Sequence, residues 1–200
     1  MSKIDLAKLH KSYYTAPTHP QLVEFDPISY VAIVGKGDPN GSAFANATEA
    51  LYTLAYSVKG ICKKNSQDFT VAKLEGLWWV DGEQDAMEVA RELWNWKLMI
   101  RLPEYVNVEI VEAARQIAGS KKKELDELQK ITYEKNSEGK CLQMLHVGPY
   151  STEPETVQRI QSYMEEQGLS QVGKHHEIYL SDPRKVEPAK MKTILRYPVE

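Results

Sequence analysis

A glutamate in the middle of a predicted strand points most directly to chemistry in this sequence. Glu177 lies in the segment His175-His-Glu-Ile-Tyr-Leu-Ser181, and strand alternation places His175, Glu177 and Tyr179 on one face. Because an unpaired carboxylate in a closed core is costly, Glu177 must be ion-paired, protonated or directed into a ligand cleft. In a cleft it would act catalytically, as a general base on water, or anchor a cation, while Tyr179 donates a hydrogen bond.

The alternative explanation for Glu177 is a structural ion pair with a basic residue of a neighbouring strand. Lys97, Lys192 and Arg196 lie in segments that we also predict to be strands. Structural ion pairs produce buried carboxylates as well as functional sites do. We favour the interpretation in which Glu177 faces a ligand cleft. The strand register determines which face Glu177 occupies, because a slip of one residue moves it to the other face.

Aromatic residues are concentrated in or beside the predicted strands. They are Trp78, Trp79, Trp94, Trp96, Tyr150 and Tyr179. Such rings suit the walls of a pocket for a flat or cationic organic molecule, although they also fill ordinary cores. We take Trp78, Trp79 and Tyr150, together with His175, as candidate ligand-binding residues.

Composition and spacing argue against several other functions. Lys and Arg number 25 and Asp and Glu 28, so the net charge of −3 gives no general reason to expect a nucleic acid or a membrane as partner. Cys62 and Cys141 match no metal or redox spacing, and His175 and His176 point to opposite strand faces. We therefore expect no metal and no other cofactor.

The chain has no leader pattern and no run of roughly eighteen apolar residues, which predicts a cytoplasmic protein. The expected partner is a small hydrophobic or cationic organic ligand. The oligomeric state stays open.

Hydrophobic periodicity predicts a mixed α+β chain. The predicted strands cover 30–36, 69–80, 94–102, 141–147, 175–181 and 191–197, and the predicted helices cover 43–62, 106–118 and 153–167. Residues 81–93 are polar and predict a connection with one short helix.

The second half of the chain repeats the first in element order and in residues. Val34-Gly35 recurs as Val147-Gly148, and the segment 97–103 recurs as 192–198. We predict two pseudo-symmetric β-α-β-β modules that form one antiparallel sheet, with helices on one face and a ligand cleft on the other. The predicted organisation is an N-terminal arm over 1–29, repeat one over 30–104, connecting helices over 105–135 and repeat two over 136–200.

Three segments together resemble the GyrI-like small-molecule-binding family. They are Leu74-Glu-Gly-Leu-Trp-Trp79, His146-Val-Gly-Pro-Tyr150, and His175 to Pro183 followed by Lys192 to Pro198. The resemblance covers nearly the whole chain. The sequence resembles the stand-alone members of the family, because no DNA-reading element precedes Tyr30.

The resemblance implies a central cleft in which a glutamate, here Glu177, faces hydrophobic and often cationic compounds. We add His146, from the second matching segment, to the ligand-binding candidates. Some stand-alone members are implied to be hydrolases that open the spirocyclopropane of DNA-alkylating antibiotics, whereas regulator-fused members only bind drugs. We expect the protein to bind a planar hydrophobic or cationic compound. Hydrolysis of that compound, if it follows binding, would be a detoxification reaction. The alternative is a non-catalytic drug-binding or protein-interaction module, such as a gyrase-modulating protein.

Tryptophan fluorescence tests the predicted aromatic walls. Trp78 and Trp79 are adjacent in a predicted strand and point to opposite faces, so at most one of them should sense a bound planar cationic dye. We expect either Trp78→Phe or Trp79→Phe to remove the quenching, and alanine at that position to weaken binding by about 0.5 to 1.5 kcal/mol. Unchanged quenching in both phenylalanine variants would place the cleft elsewhere.

Overall fold

A computed structural model describes residues 3–82 and 88–200, which divide into two compact units. The first unit contains the described residues of 3–9 and 28–136, and the second contains residues 10–27 and 137–200. The strands are β1 (Ile4–Asp5), β2 (Gln21–Phe25), β3 (Ile28–Lys36), β4 (Phe69–Thr70), β5 (Leu74–Trp79), β6 (Asn95–Arg101), β7 (Thr132–Asn136), β8 (Gly139–Val147), β9 (His175–Tyr179) and β10 (Lys192–Pro198). The α-helices are α1 (Leu6–Leu9), α2 (Lys11–Tyr14), α3 (Ser42–Lys64), α4 (Val108–Lys121) and α5 (Glu153–Gln167), and short 3-10 helices cover Arg91–Leu93, Asp126–Lys130, Tyr150–Thr152 and Pro188–Lys190.

The first unit is built on four antiparallel strands in the order β5-β6-β3-β7. Helix α3 covers one face of these strands, because its apolar residues recur at helical spacing and form one buried stripe. That stripe packs against Val31, Ile33, Leu98 and Ile100 in a single apolar cluster. Helix α4 packs on α3 and extends the same core.

Gly35 allows a large ring to lie across β3 in this unit. Gly35 is paired with Trp96 of β6, and a Cβ atom at Gly35 would overlap the Trp96 ring. The Trp96 indole is buried and meets Phe44 of α3 edge to face, with ring centroids 5.5 Å apart. A glycine is therefore required at this position by close approach.

The second unit repeats the strand order of the first. Its strands run β9-β10-β8-β2, all antiparallel, and α5 packs over β8 on one face. The apolar cluster under α5 consists of Leu142, Met144, Ile160, Met164, Leu195, Tyr197 and Val199. In each unit three strands and the long helix follow the order strand, helix, strand, strand, and a strand from elsewhere in the chain completes the four.

Residues 10–27 close the opposite face of the second unit. The guanidinium of Arg196 lies 4.3 Å from the Tyr13 ring centroid and 4.4 Å from that of Phe25, and it donates hydrogen bonds to Gln143 and to the Tyr13 carbonyl. Glu138 accepts from His176 at 2.9 Å and lies 3.7 Å from Arg196. This buried network fixes the N-terminal segment to the strands.

The predicted α+β class, with antiparallel strands and repeated modules, is confirmed. Three strands of the described residues were not predicted from the sequence, and the first of them, β1, has only two residues. Strand β2 is five residues long and lies between Pro20 and Pro27, and β7 is polar, so neither carries a strong apolar pattern. Part of the predicted polar connection, residues 83–87, lies outside the described residues. No helix in the described parts of the chain combines the length and apolar character needed to cross a membrane.

A pair of glycine substitutions tests the packing of the first unit. We expect Gly35→Ala to destabilise the protein by about 1 to 3 kcal/mol, because the new methyl group forces the Trp96 ring out of its position. A Cβ atom added at Gly60 in α3 would meet nothing within 4 Å, so Gly60→Ala should stabilise by up to about 1 kcal/mol. Urea denaturation measures both, and equal stabilities for the two variants would contradict the proposed packing.

Candidate functional site

Three of the predicted site residues share one face of the second unit. Glu177 is paired with Leu195, which belongs to the apolar cluster under α5, and directly paired residues point to the same face. Tyr179 and His175 alternate with the buried His176 and Ile178 and therefore lie on the Glu177 face. From the sequence we expected this group on the face opposite the helices. In this unit the face opposite α5 is filled by the N-terminal segment, and Glu177 lies on the α5 side.

Glu177 has a histidine partner on its own strand. Its Oε1 atom lies 2.9 Å from Nε2 of His175, and the two side chains are 13% and 20% exposed. The His175 ring also packs at 4.9 Å from the Tyr197 ring, between centroids. The Nδ1 atom of His175 is buried and has no hydrogen-bond partner among the described residues.

The basic residues considered as ion-pair partners of Glu177 are engaged elsewhere or lie at the surface. Lys97 pairs with Glu134 at 2.7 Å, and Arg196 lies in the network with Glu138. Lys192 is exposed at the start of β10. The two carboxylate-bearing faces of the second unit are thus chemically different: one carries a cation network, the other a carboxylate among aromatic rings.

A second carboxyl group, which sequence reasoning missed, lies beside Glu177. Glu153 begins α5, is only 8% exposed, and accepts a hydrogen bond from Thr193. Burial, and then the nearby charge of Glu177, raise the pKa of Glu153 to about 9. Glu153 therefore holds its proton at neutral pH. Acidic residues are common in the first turn of any helix, so no pattern in the sequence signals that this one is buried.

Two tyrosines complete the surroundings of the carboxyl pair. Tyr150 meets Tyr179 edge to face, with ring centroids 5.9 Å apart. Burial and the charges of Glu153 and Glu177 raise the pKa of Tyr150 to about 12, and the same causes raise the pKa of Tyr197 further. Both phenols are held as neutral hydrogen-bond donors. We name this group the carboxyl-tyrosine site; it consists of Tyr150, Glu153, His175, Glu177, Tyr179 and Tyr197.

His146 holds the turn that carries Tyr150. Its Nε2 atom lies 3.1 Å from the carbonyl oxygen of Pro149, which can only accept, so Nε2 bears the hydrogen. Its Nδ1 atom then accepts from the Thr156 hydroxyl at 2.9 Å. Gly148, with φ +146, has no room for a Cβ beside Thr152. His146 was predicted to bind ligand; with both ring nitrogens engaged, it positions the start of α5 and Tyr150.

The predicted tryptophans belong to the first unit. Trp78 lies on the α3 side, stacked on Phe44 at 5.7 Å and edge to face with Trp94 at 6.0 Å, between centroids. Trp79 points to the opposite face of β5, as expected from alternation, and both are half-buried. Their contribution to a ligand site stays a prediction.

A shallow hollow of about 310 Å³ lies along the outer side of α5. It is lined by Pro20, Gln158, Arg159, Ser162, Tyr163 and Glu166. None of the predicted site residues lines it, since Glu153, Thr156 and Ile160 face the other way into the unit. Within the described residues no group of three or more His, Cys, Asp or Glu side chains could hold a metal ion.

The repeated strand-helix-strand-strand modules place a half-buried glutamate among aromatic rings in the second unit. A few polar groups among aromatic side chains are what small-molecule sites commonly present. The sequence model of the GyrI-like small-molecule-binding domain matches residues 18–200. The chain belongs to this family, as its motifs predicted.

Solved structures agree with this assignment. An uncharacterized protein of Listeria innocua is 40% identical, with a TM-score of 0.93, over 99% of this chain and 100% of its own. A hydrolase of Listeria innocua is 38% identical, with a TM-score of 0.90, over 100% of both chains. The C-terminal domain of EcmrR is 13% identical, with a TM-score of 0.58, over 91% of this chain and 97% of its own, a likeness that shows the fold alone. Comparison with curated proteins gave no match.

The protonation of Glu153 predicts an unusual dependence of stability on pH. The pKa of a glutamate in an unfolded chain is about 4.3, whereas the pKa of Glu153 in the folded protein is about 9. Between these values the folded state binds more protons than the unfolded state, so this group lowers the free energy of unfolding as the pH rises. Glu153→Gln removes the effect.

We expect Glu153→Gln to be more stable than the parent protein at about pH 8, by about 5 kcal/mol, because this pH lies about 3.7 units above the unfolded pKa and each unit is worth about 1.4 kcal/mol. The gain should vanish near pH 4, where both states are protonated. Urea denaturation at a series of pH values measures it, with the exposed Glu155→Gln as control. A gain that is independent of pH would show that Glu153 is not protonated in the folded protein.

Proposed function

We propose that this protein binds planar hydrophobic or cationic organic molecules at the carboxyl-tyrosine site and adds water to an electrophilic ring of the spirocyclopropane type. The observation that carries the proposal is the buried Glu153 next to the half-buried Glu177, beside neutral tyrosines. The raised pKa of Glu153 makes it a candidate proton donor beside a second carboxyl group, and such pairs are a common basis for acid and base chemistry. Turnover is further supported by the full-length likeness to a hydrolase of Listeria innocua.

The proposed reaction needs no group beyond water and side chains. Glu177 takes a proton from water as the water oxygen forms a bond to a cyclopropane carbon. The strained C–C bond breaks, and its electron pair moves through the conjugated system onto the substrate carbonyl oxygen. That oxygen takes a proton, so the product is the substrate plus one water molecule.

The hydrogen-bond partners of Glu177 fit the role of a base. His175 Nε2 holds the carboxylate oxygen at 2.9 Å and so fixes its direction, while the opposite strand face holds the competing cations. Tyr179 or Tyr150 would donate to the carbonyl oxygen as it gains charge, because both rings border the same face. The aromatic edges would contact the flat substrate.

The biological role that we propose is detoxification of such compounds in the cytoplasm. Cys62 and Cys141 are both free and buried, which is in keeping with a reducing compartment. A compound that alkylates DNA through a strained ring loses that reactivity when water opens the ring.

Two variants, each changing a glutamate on a strand of the second unit, test the proposal. Purified protein is incubated with a spirocyclopropane alkylator, and the mass gain of one water is followed over time. We expect Glu177→Gln to lower the rate at least about 100-fold, because the base is lost, while the protein melts within a few degrees of the parent. The matched control is Glu24→Gln, an exposed glutamate on β2 of the same unit, which should retain the rate.

Three other outcomes would each correct the proposal. Binding of the alkylator without mass gain by the parent protein would leave a binding domain without turnover. A collapse of the melting temperature in Glu177→Gln with unchanged affinity would make Glu177 structural. Equal rates in Glu177→Gln and the parent would move the chemistry away from this site.

A further inference from the structure

A buried oxygen atom of Glu153 has no partner inside the protein. Oε1 of Glu153 is inaccessible to solvent and makes no hydrogen bond among the described residues. The residue as a whole is only 8% exposed. Buried polar atoms are paired in the great majority of cases, so an unpaired carboxyl oxygen beside a candidate ligand site requires an explanation.

The groups around Glu153 leave its carboxyl with no cation. The groups that act on it are Glu177 on β9, which is itself bonded to His175, Thr193 and Tyr197 on β10, and Tyr150 in the preceding turn. Thr193 donates to Glu153, and no ion pair reaches it from a Lys, Arg or His of the described residues. A carboxylate so placed would face the nearby charge of Glu177 without an ion-pair partner of its own.

An uncharged carboxyl group resolves the repulsion but creates a hydrogen-bond donor. Its hydroxyl needs an acceptor, and the described side chains offer none to Oε1. The neighbouring phenols of Tyr150 and Tyr197 keep their protons at neutral pH, and neither is bonded to Oε1. An oxygen of a bound molecule would supply the missing acceptor.

We propose that Glu153 is the proton-bearing carboxyl of the site, that it donates a hydrogen bond to a carbonyl or phenolic oxygen of the ligand, and that it is the general acid in the proposed ring opening. This inference rests on the proposed function for its catalytic part. It narrows the ligand class to molecules that present an oxygen acceptor next to the electrophilic carbon. The proton of Glu153 passes to the substrate oxygen as the ring bond breaks, and the proton taken up by Glu177 restores the balance.

Carbon-13 NMR tests the donor directly and without turnover. In protein labelled at the glutamate side-chain carboxyl carbon, we expect one resonance at neutral pH with the shift of a protonated carboxyl. It should be absent from Glu153→Gln and present in Glu155→Gln, whose exposed side chain lies on the same helical turn. On saturation with the ring-opened water adduct of the alkylator, which cannot react again, this resonance should shift.

Rate measurements test whether Glu153 is the general acid. Glu153→Gln keeps a donor but has no proton to transfer, so it should bind the water adduct with affinity within a few fold of the parent and lose at least about 100-fold in rate. The parent rate should fall on the alkaline side as Glu153 ionises, and Glu153→Asp should restore part of the rate. Glu155→Gln should match the parent.

The outcomes separate this inference from the proposed function. If Glu177→Gln is inactive but Glu153→Gln turns over at the parent rate, hydrolysis stands and the inference is overturned. If the parent protein binds the adduct without any turnover, hydrolysis fails, and the NMR shift alone decides whether Glu153 donates to the ligand. A Glu153 resonance that is ionised at neutral pH, or that does not respond to the adduct, overturns the inference in either case.

Discussion

The second unit depends on the burial of one arginine. Arg196 is fully buried, its guanidinium lies against the rings of Tyr13 and Phe25, and it donates hydrogen bonds to Gln143 and the Tyr13 carbonyl. Burial alone would raise the pKa of Glu138, but the charges and hydrogen bonds of His176 and Arg196 outweigh it and hold that pKa below its usual range. A buried charge without these partners would be strongly destabilising, so the N-terminal segment must cover this face.

That constraint also places the site. Residues 176 and 177 are neighbours on β9 and point to opposite faces, so anchoring His176 to Glu138 directs Glu177 toward α5. A slip of one residue would bury Glu177 beside Glu138 and remove His176 from its partner. The pairing of His176 with Glu138 on one face thus fixes the strand register, and that register places Glu177 on the other face.

The two units share the same order of strands and helix but bury different kinds of side chains. Under α3 the buried cluster is apolar, and Gly35 admits the Trp96 ring to fill it. Under α5 the apolar cluster gives way to Glu153, Glu177 and the tyrosines near the start of the helix. Two carboxyl groups in such surroundings cost stability, and proteins tolerate such a cost mainly where function requires it. The core under α3 is therefore apolar, whereas carboxyl groups and tyrosines lie beside the apolar core under α5.

Much of the fold and part of the site followed from the sequence, because they depend on local pattern. The apolar stripe of α3, the strand alternation that joins His175, Glu177 and Tyr179, and the recurrence of Val34-Gly35 as Val147-Gly148 are all visible in the residues. The polar strand β7 and the short strand β2 were missed, since edge strands owe their formation to pairing with a neighbour. Only the tertiary structure could show that the face opposite α5 is occupied by Tyr13 and Phe25, that His146 has both nitrogens engaged, and that Glu153 is buried beside Glu177. These features depend on which distant segments meet, and the protonation of a carboxyl group depends on the charges and solvent around it rather than on its neighbours in the chain.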